Sequence, residues 1–484
     1  MPVIPRSFGL ADSVIPRSFG LADSVIPRSF GLADSVIPRS PGLAGRRGLR
    51  LAPPLLSVAL ALSAVLLPSP RPASPGPAGP RLELGPGPDL SRFARATQVR
   101  PFVLPADHGP HFDYQTEWWY YTGNVAAADG RRFGFQLTFF RRGLSPGPPP
   151  DGPGLSSNQV YFAHFAITDV AARRHTATER FSRGAAGLAG ASGEPFAVWL
   201  EDWRVSSRCG GSGAAPPARY ARVNRAPLAA PSNCDGRAVR LVAHDAASGL
   251  SLDLELRATK PLVAHGDHGL SPKSDQPGNA SYYVGYTRMT AQGRLGTSGG
   301  TGDSAPLREV EVTGEAWFDH EWGTSALGAG AIGWDWFSLQ FDDGRELMHF
   351  QIRREDEEIE PVSGGTLVEP DGRTRRLLRD DVRIEVLRRW TSPDTGATYP
   401  SRWRLAVPSA GLDLVVEPWL EAQEMGTSFV YWEGAVRVRA ASADPGVTDS
   451  AVQSGSPAPR PHRLLSGQGY VEATGYSRSM QGVF

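Results

Sequence analysis

Short alternating runs dominate the hydrophobic pattern from about Arg100 onward. In the clearest run, Phe133, Phe135, Leu137 and Phe139 alternate with small or polar residues, and this period of two predicts a β-strand with one buried face. Helical periodicity nowhere extends beyond about three turns. The pattern therefore predicts an all-β fold of barrels or sandwiches. Similar runs occur at 160–167, 250–256, 346–352, 403–407, 412–416 and 435–438.

Three segments of the chain recur in the same order in its second half. An Asp-Gly-Arg turn follows an aromatic strand in both copies of the first segment, and an acidic residue stands two positions after an aromatic one in both copies of the last. Ordered matches of this kind predict two homologous β domains, residues 100–323 and 324–484. The paired segments are 118–142 with 334–354, 279–288 with 427–437, and 314–323 with 467–476.

Composition narrows the possible partners. The 484 residues carry 50 Lys and Arg against 50 Asp and Glu, so there is no basic field that would predict a nucleic-acid partner. The 55 Gly and 43 Pro suit many short strands and turns. Residues 1–45 repeat the unit VIPRSFGLADS without change, which predicts a low-complexity segment with no fold of its own.

Residues 46–70 have the pattern of an export signal. Arg46, Arg47 and Arg50 precede an apolar run at 55–67 that is short for a membrane span, so we expect a signal peptide or an uncleaved anchor. The Pro-rich residues 71–99 then form a linker. This arrangement predicts a secreted, periplasmic or cell-envelope protein, associated with a membrane only through this segment if it stays uncleaved.

The chain has two cysteines, Cys209 and Cys234, both in a region rich in Gly, Pro and Ser. In an oxidising compartment they could form one disulfide that closes a loop. Two unrelated thiols are the alternative.

Residues 314–341 combine acidic groups with large aromatic rings. Because such rings gain most when they are buried, their concentration here predicts a pocket rather than a surface strand. Acid–base groups beside buried rings are what a catalytic or ligand site needs. The candidates are Trp317, Asp319, His320, Glu321, Trp322, Trp334, Asp335 and Trp336.

We predict Asp319, His320 and Glu321 as the catalytic residues. Strand alternation places Asp319 and Glu321 on one face and His320 on the other, so a regular strand cannot aim all three into one pocket. Either the two carboxylates face the barrel lumen, where one would gain a raised pKa, or a bulge near Gly323 redirects His320. A structural salt-bridge cluster at a barrel end is the third interpretation.

A second candidate group surrounds Glu117, which precedes a run of four aromatic residues. A buried glutamate needs a partner, and Arg288 or His164 could serve. His164 lies in the middle of a predicted strand, where it is either a core histidine or a functional one. The predicted ligand contacts in this group are Glu117, Trp118, Trp119, Tyr121, His164 and Tyr286, in addition to Trp317, Trp322, Trp334, Asp335 and Trp336.

No cofactor or metal ion is predicted from the sequence. The pairs His108/His111 and His265/His268 lack a helix that would align them and a third ligand nearby. The segment 296–300 matches G-x-S-x-G but lacks the strand and helix that a nucleophile elbow requires. No dinucleotide fingerprint is present.

The motifs EWWYYTGN, AHFAITD, GNASYY, DHEWG and GYVEATGY resemble those of the carotenoid 1,2-hydratase superfamily and its relatives known as predicted secreted hydrolases or lipocalin-like proteins. The resemblance spans nearly all of 100–484 and implies two tandem lipocalin-like β-barrels. It also implies catalytic roles for a His-x-Trp pair, which His320 and Trp322 match. For the family's Tyr-x-Asp pair the nearest match is Phe341-x-Asp343, where the tyrosine is absent.

Together these features predict a protein that acts on, or binds, an apolar isoprenoid or lipid-like molecule. Hydration of an isolated C=C bond needs a strong acid and a dry pocket that tolerates a cation, and aromatic faces contribute up to about 2 kcal/mol each to cation binding. A hydratase or hydrolase is the first hypothesis. A non-catalytic lipid carrier is the alternative, and a scaffold without small-molecule affinity is the third.

Overall fold

The computed structural model describes residues 89–150, 156–208, 236–298, 307–324, 327–444 and 465–481. All of them belong to one compact unit, Pro77–Phe484. The predictions made for residues 1–88, and the possible disulfide between Cys209 and Cys234, lie outside the described residues. Within the described ranges, no helix has the length and hydrophobicity that crossing a membrane would require.

The first half of the described chain forms one antiparallel sheet, in the order β4-β3-β2-β1-β13-β12-β9-β8-β7-β6-β5, with the short β10 and β11 paired to β12. Its strands are β1 (Thr116–Ala127), β2 (Arg132–Gly143), β3 (Gln159–Asp169), β4 (Arg174–Arg183), β5 (Ala189–Gly193), β6 (Phe196–Leu200), β7 (Trp203–Ser207), β8 (Ala238–Asp245), β9 (Leu250–Ala258), β10 (Val263–Ala264), β11 (Leu270–Pro272), β12 (Ala280–Ser298) and β13 (Leu307–Gly323).

The second half forms another antiparallel sheet, in the order β17-β16-β15-β14-β23-β22-β20-β19-β18, with β21 paired to β22. Its strands are β14 (Ala331–Phe341), β15 (Glu346–Arg354), β16 (Gly364–Val368), β17 (Thr374–Leu378), β18 (Arg383–Thr391), β19 (Thr398–Val407), β20 (Leu412–Pro418), β21 (Glu424–Met425), β22 (Tyr431–Ala440) and β23 (Ser466–Ala473). Short 3₁₀ turns occur at Leu90–Arg92, Ala106–His108, Arg379–Asp381, Pro408–Ala410 and Ala441–Ala443.

Both sheets are curled into barrel-like shapes, which confirms the predicted all-β fold of two barrel-like units. Equivalent strands occupy equivalent places in the two strand orders: β1 and β2 correspond to β14 and β15, β12 to β22, and β13 to β23. The three repeated sequence segments lie on these corresponding strands. A position in one sheet can therefore be compared directly with its counterpart in the other.

Each sheet encloses its own hydrophobic core. Phe135, Phe165 and Trp203 are fully buried in the first core, and Trp403 and Trp432 in the second. Burial of each such side chain contributes about 1.5–3 kcal/mol to the stability of the fold. The strands nearest the other sheet bury both faces, one against their own core and one against the neighbouring sheet.

A third cluster joins the two sheets and contains Tyr120, Tyr283 and Trp317 from the first and Trp336 and Phe350 from the second. Polar contacts beside it fix how the sheets face each other. Lys260 Nζ lies 2.8 Å from Glu346 Oε2, and Arg288 Nε donates to Glu346 Oε1 at 2.6 Å. These contacts join the two sheets, and the space between them has defined walls.

Candidate functional site

A cavity lies where the outer faces of the two sheets meet. Its volume, measured as the space that the centre of a water-sized sphere can reach, is about 140 Å³. One water molecule needs roughly 10–15 Å³ on this scale, so the cavity has room for an organic group together with water. Its apolar walls include Trp118, Trp334, Trp336, Phe350, Ile352 and Phe429.

Strand alternation on β13 aims Asp319 and Glu321 into this cavity. The pairing of β1 with β13 is regular from Thr116↔Gly323 to Ala127↔Val312, so no bulge interrupts it. Neither of the two alternatives from the sequence describes the strand. The carboxylates face the neighbouring sheet rather than the lumen of their own barrel, and no bulge redirects His320, which lies on the opposite face of β13. The trio predicted as catalytic is divided between two environments.

Asp319 is the central acid of the cavity wall and is only 2% exposed. The Tyr283 hydroxyl donates a hydrogen bond to its Oδ2 at 2.6 Å, and Trp336 Nε1 donates to the Tyr283 oxygen at 3.0 Å. Burial, aided by the charge of Glu321, raises the pKa of Asp319 to about 8, although Tyr283, Trp317 and the charge of Lys273 oppose the rise. At neutral pH the carboxyl group is therefore mostly protonated and can act as a general acid.

The second oxygen of Asp319, Oδ1, is buried beside Gly285 and His265. Oδ1 lies 3.7 Å from His265 Nε2, beyond hydrogen-bond distance, and accepts no hydrogen bond from the described residues. Burial lowers the pKa of His265 to about 3, so this neighbour is neutral and cannot hold Asp319 in its charged form. Because Tyr283 occupies Oδ2, the acidic proton is best placed on Oδ1.

Glu321, unlike Asp319, has a charged partner at hydrogen-bond distance. Lys273 Nζ lies 2.5 Å from its Oε1, and the Ser281 hydroxyl donates to the same oxygen. The ammonium group also lies 4.9 Å from the centre of the Phe350 ring. Glu321 and Lys273 therefore form an ion pair in the cavity wall.

The second sheet contributes two acids that the sequence analysis did not identify as site residues. Glu433 on β22 and Glu472 on β23 are direct cross-strand partners, and both line the cavity. Burial and then the charge of Glu472 raise the pKa of Glu433, while burial raises the pKa of Glu472 to about 7. Two adjacent carboxyl groups in such a setting share one proton near neutral pH.

Glu472 is the counterpart of Asp319 in the repeat. Asp319 pairs with Tyr120 of β1, and Glu472 pairs with Trp336 of β14. The alignment of 314–323 with 467–476 contained this signal, because both segments carry an acid two residues after an aromatic ring. Glu433 had no such signal, since its counterpart by strand register is Gly285, which pairs with Asp319 as Glu433 pairs with Glu472.

Hydrogen bonds cross between the sheets in both directions at the cavity. The Tyr120 hydroxyl of the first sheet donates to Glu433 Oε1 of the second, and Trp336 of the second sheet donates to Tyr283 of the first. Each sheet thus positions an acidic group of the other. The cavity is consequently a joint product of both halves of the molecule.

His320 belongs to a buried ion network on the opposite face of β13. Glu117 Oε1 accepts from His320 Nε2 at 2.9 Å and from His111 Nδ1 at 2.8 Å, while Arg141 Nε donates to Glu117 Oε2 at 2.8 Å. Although burial opposes it, the Arg141 and His111 charges hold the pKa of Glu117 well below its usual range. The partners proposed for Glu117 from the sequence, Arg288 and His164, are replaced by these three.

Three side chains of this network are close enough to hold a metal ion. One ligand atom each from His111, Glu117 and His320 lie within 4.8 Å of one another. However, Arg141 already neutralises the charge of Glu117. His111 bridges Glu117 and Asp107, with its Nε2 3.1 Å from Asp107 Oδ1. Although burial opposes the change, these two acids raise the pKa of His111. The cluster is therefore a hydrogen-bonded ion network, in which His320 Nδ1 has no partner among the described residues.

The remaining predicted residues lie around these two environments. Trp334 and Trp118 line the cavity, and Trp317 packs edge-on against Trp336 at 6.2 Å. On the other face of β13, Trp119 stacks on His320 at 5.0 Å. Tyr121, Tyr286 and Trp322 also lie on that side, in or beside the first core.

Asp335 and Asp343 stand away from the cavity. Asp335 accepts from Gln351 Nε2 at 2.8 Å and from the Tyr476 hydroxyl at 3.0 Å on the other face of the second sheet. Asp343 lies in an exposed turn, where it binds Arg345. Neither residue contributes to the cavity wall.

His164 lies one layer behind the cavity. Its Nδ1 is 2.8 Å from the hydroxyl of Tyr431, which lines the cavity. Burial lowers the pKa of His164 to about 3, so the ring is neutral. Its contact with a ligand is therefore indirect, through Tyr431.

The fold and the site define a protein of two barrel-like sheets with an acidic, aromatic-walled cavity between them. The chain belongs to the AttH-like family, whose family model matches residues 95–476. This assignment agrees with the superfamily resemblance seen in the sequence motifs. Among proteins with curated functions, none matches the sequence.

Two solved structures are similar to this chain. A protein from Nitrosomonas europaea described as AttH is 27% identical, with a TM-score of 0.59 over 79% of this chain and 100% of that one. Kievitone hydratase from Nectria haematococca is 14% identical, with a TM-score of 0.51 over 80% of this chain and 98% of that one. The second likeness shows a shared fold.

Proposed function

We propose that this protein is an acid–base enzyme of the hydratase type, which acts on an apolar isoprenoid or lipid-like molecule in the cavity between the sheets. The observation that carries the proposal is the environment of Asp319: a buried, protonated carboxyl group whose Oδ1 lacks a hydrogen-bond partner among the described residues, beside aromatic walls. Kievitone hydratase shares the fold, and the proposed chemistry rests on the cavity alone.

The first step uses Asp319 as the general acid. The π electrons of the substrate C=C bond take the proton from Oδ1, so that a C–H bond forms and the O–H bond breaks. The tertiary cation that results faces Trp118 and Trp336, whose rings stabilise positive charge. Tyr283 continues to donate to Oδ2, and it stabilises the carboxylate that the proton transfer leaves behind.

The second step needs water and a base. A water molecule adds to the cation through its oxygen, and its proton passes to the half-ionised pair Glu433 and Glu472 on the opposite wall. Transfer of that proton back to Asp319 restores the starting state, so the net change is the addition of one water. The acid and the base come from different sheets, which is why the cavity requires both.

A turnover experiment tests the proposal. The full chain is incubated in D2O with a panel of isoprenoid alkenes, and products are analysed by mass spectrometry for the gain of D2O or of deuterium at carbon. We expect incorporation with the wild type and none with Asp319→Asn. Asp343→Asn, the same change in an exposed turn, serves as the matched control and should keep full activity.

The carrier hypothesis gives a different result in the same experiment. The apolar walls would bind the alkenes in wild type and Asp319→Asn alike, no deuterium would enter the ligand, and Trp336→Ala would cause the largest loss of affinity. Wild-type binding without incorporation would therefore reject the enzyme and support a carrier.

A further inference from the structure

The charges that face the cavity are unbalanced. Among the described residues of its wall, four carry carboxyl groups and one, Lys273, carries an amine. Lys273 is already paired with Glu321 at 2.5 Å. The other acids receive hydrogen bonds from neutral groups, such as the Tyr120 hydroxyl at Glu433 and the Tyr283 hydroxyl at Asp319. The wall therefore holds more acid than its own cation neutralises.

Two further observations indicate what would balance it. Asp319 Oδ1 is buried and has no hydrogen-bond partner within the described part of the chain, so this acid has no cation of its own. Aromatic rings are the direct cross-strand neighbours of the acids: Trp118 beside Glu321, and Trp336 beside Glu472. Carboxylates set among aromatic faces are the surroundings that bind an organic cation, whose charge is screened from water by alkyl groups.

We propose that the cavity binds an apolar organic cation, with its positive charge between Asp319 and the Glu433–Glu472 pair. The inference deepens the proposed function, because the hydration mechanism creates such a charge on carbon. It also holds for a ligand that carries a permanent ammonium group. In either case a short alkylammonium ion is a stable mimic of the bound species, and it should bind more tightly than an uncharged molecule of the same shape.

The test compares three probes of equal chain length: dimethyloctylammonium, octanol and octanoate. Binding to the full wild-type chain at pH 7 is measured by tryptophan fluorescence and by calorimetry. We expect the ammonium ion to bind at least about tenfold more tightly than the alcohol, and the carboxylate to bind most weakly. Equal affinity for the three probes, or a preference for octanoate, would overturn the proposal without any variant.

Variants of the cavity acids then test where the positive charge of the ammonium probe binds. Glu472→Gln and, separately, Glu433→Gln should reduce the ammonium-to-alcohol ratio at least about threefold while octanol affinity stays the same. Glu385→Gln, on the exposed face of β18, is the matched control and should leave the ratio unchanged. A ratio that both cavity variants retain would contradict the assigned position of the charge.

The outcome is separable from that of the proposed function. Ammonium preference without deuterium incorporation would support the cation site and reject the hydratase. Incorporation that depends on Asp319, combined with no ammonium preference, would support the hydratase and reject the cation site.

Discussion

The two faces of strand β13 hold ionisable groups only one residue apart, yet the two environments differ in kind. On one face, His320 joins a network in which Glu117 is paired with Arg141 and His111. On the other, Asp319 is equally buried but its hydrogen-bonding neighbours, Tyr283 and Trp317, are neutral. The buried carboxylate of the first face has charged partners, whereas the second face holds a carboxyl group with no charged partner at hydrogen-bond distance.

This difference distinguishes a carboxylate that is buried in a structural ion network from a carboxyl group that is buried in a candidate functional site. A buried charge with a full set of partners keeps its ordinary ionisation, as the lowered pKa of Glu117 shows. A buried acid without a cation takes up a proton instead, as the raised pKa of Asp319 shows. The aromatic and acidic residues in 314–341 therefore do not form a single catalytic cluster.

The largest expected effect lies on the structural face. Arg141 is fully buried and donates to Glu117, Gln159 and the main-chain oxygens of His111 and Tyr114. Arg141→Met should lower the free energy of unfolding by about 3–5 kcal/mol, because it leaves Glu117 buried without its cation. Urea unfolding measures the change. The double variant Arg141→Met/Glu117→Gln should recover part of it, and an unchanged single variant would refute the network.

A substitution beside Asp319 should have the next largest effect. A Cβ added at Gly285 would collide with Asp319 Oδ1 and would lie 2.6 Å from the main-chain oxygen of Phe318. Gly285→Ala should therefore destabilise the protein by about 1–3 kcal/mol and displace the acid, which lowers deuterium incorporation. Gly426→Ala is the control, because a Cβ added there would have no neighbouring atom within 4 Å, and it should leave incorporation unchanged. Full activity in Gly285→Ala would show that the position of Asp319 is not critical.

The protonation of Asp319 should also appear in the pH dependence of stability. The pKa of about 8 in the folded state exceeds the ordinary value of 3.8, so the folded protein retains a proton that the unfolded chain releases. Its contribution is full below about pH 4 and is lost as the pH rises to about 8, by up to about 1.4 kcal/mol per pH unit. Asp319→Asn should remove this slope.

The measurement is the difference between wild-type and Asp319→Asn unfolding free energies from pH 5 to pH 8. Using the difference removes the contributions that do not depend on Asp319. The ionisable groups that face Asp319 are Tyr283, Glu321, Lys273 and His265, with the Glu433–Glu472 pair beyond them. Parallel curves for the two proteins would mean that Asp319 is ionised in the folded state.

The smallest effect is expected at Asp343. This residue binds Arg345 in an exposed turn and touches neither face of β13. Asp343→Asn should change the free energy of unfolding by less than about 0.5 kcal/mol and leave deuterium incorporation intact. A large loss of activity in Asp343→Asn would show that the family's Tyr-x-Asp position takes part in the mechanism.

The fold could be predicted from the sequence because its signals are local. Alternation along Phe133–Phe139 gives a strand, and the ordered repeats give two related sheets. The same alternation separates Asp319 from His320. The alternation could not show which face of β13 meets the cavity. The neighbouring strand β1 gives no help, because both of its faces are buried and the aromatic run at 118–121 has no polar face.

The partners in the site could not be predicted because they are distant in sequence. Glu117 and His320 are 203 residues apart, and Tyr120 and Glu433 are 313 apart. Such contacts depend on how one sheet lies on the other, which no local pattern records. Glu472 is the exception, since the repeat already placed it opposite Asp319 in the alignment.

The most direct test is an infrared measurement of the carboxyl group of Asp319. The spectrum of the full Asp319→Asn chain is subtracted from that of the wild type at pH 7 and again at pH 10. A carbonyl band of a protonated carboxyl group that is present at pH 7 and absent at pH 10 is the predicted result. A difference spectrum that shows only an ionised carboxylate at pH 7 would contradict the assignment of Asp319 as the acid.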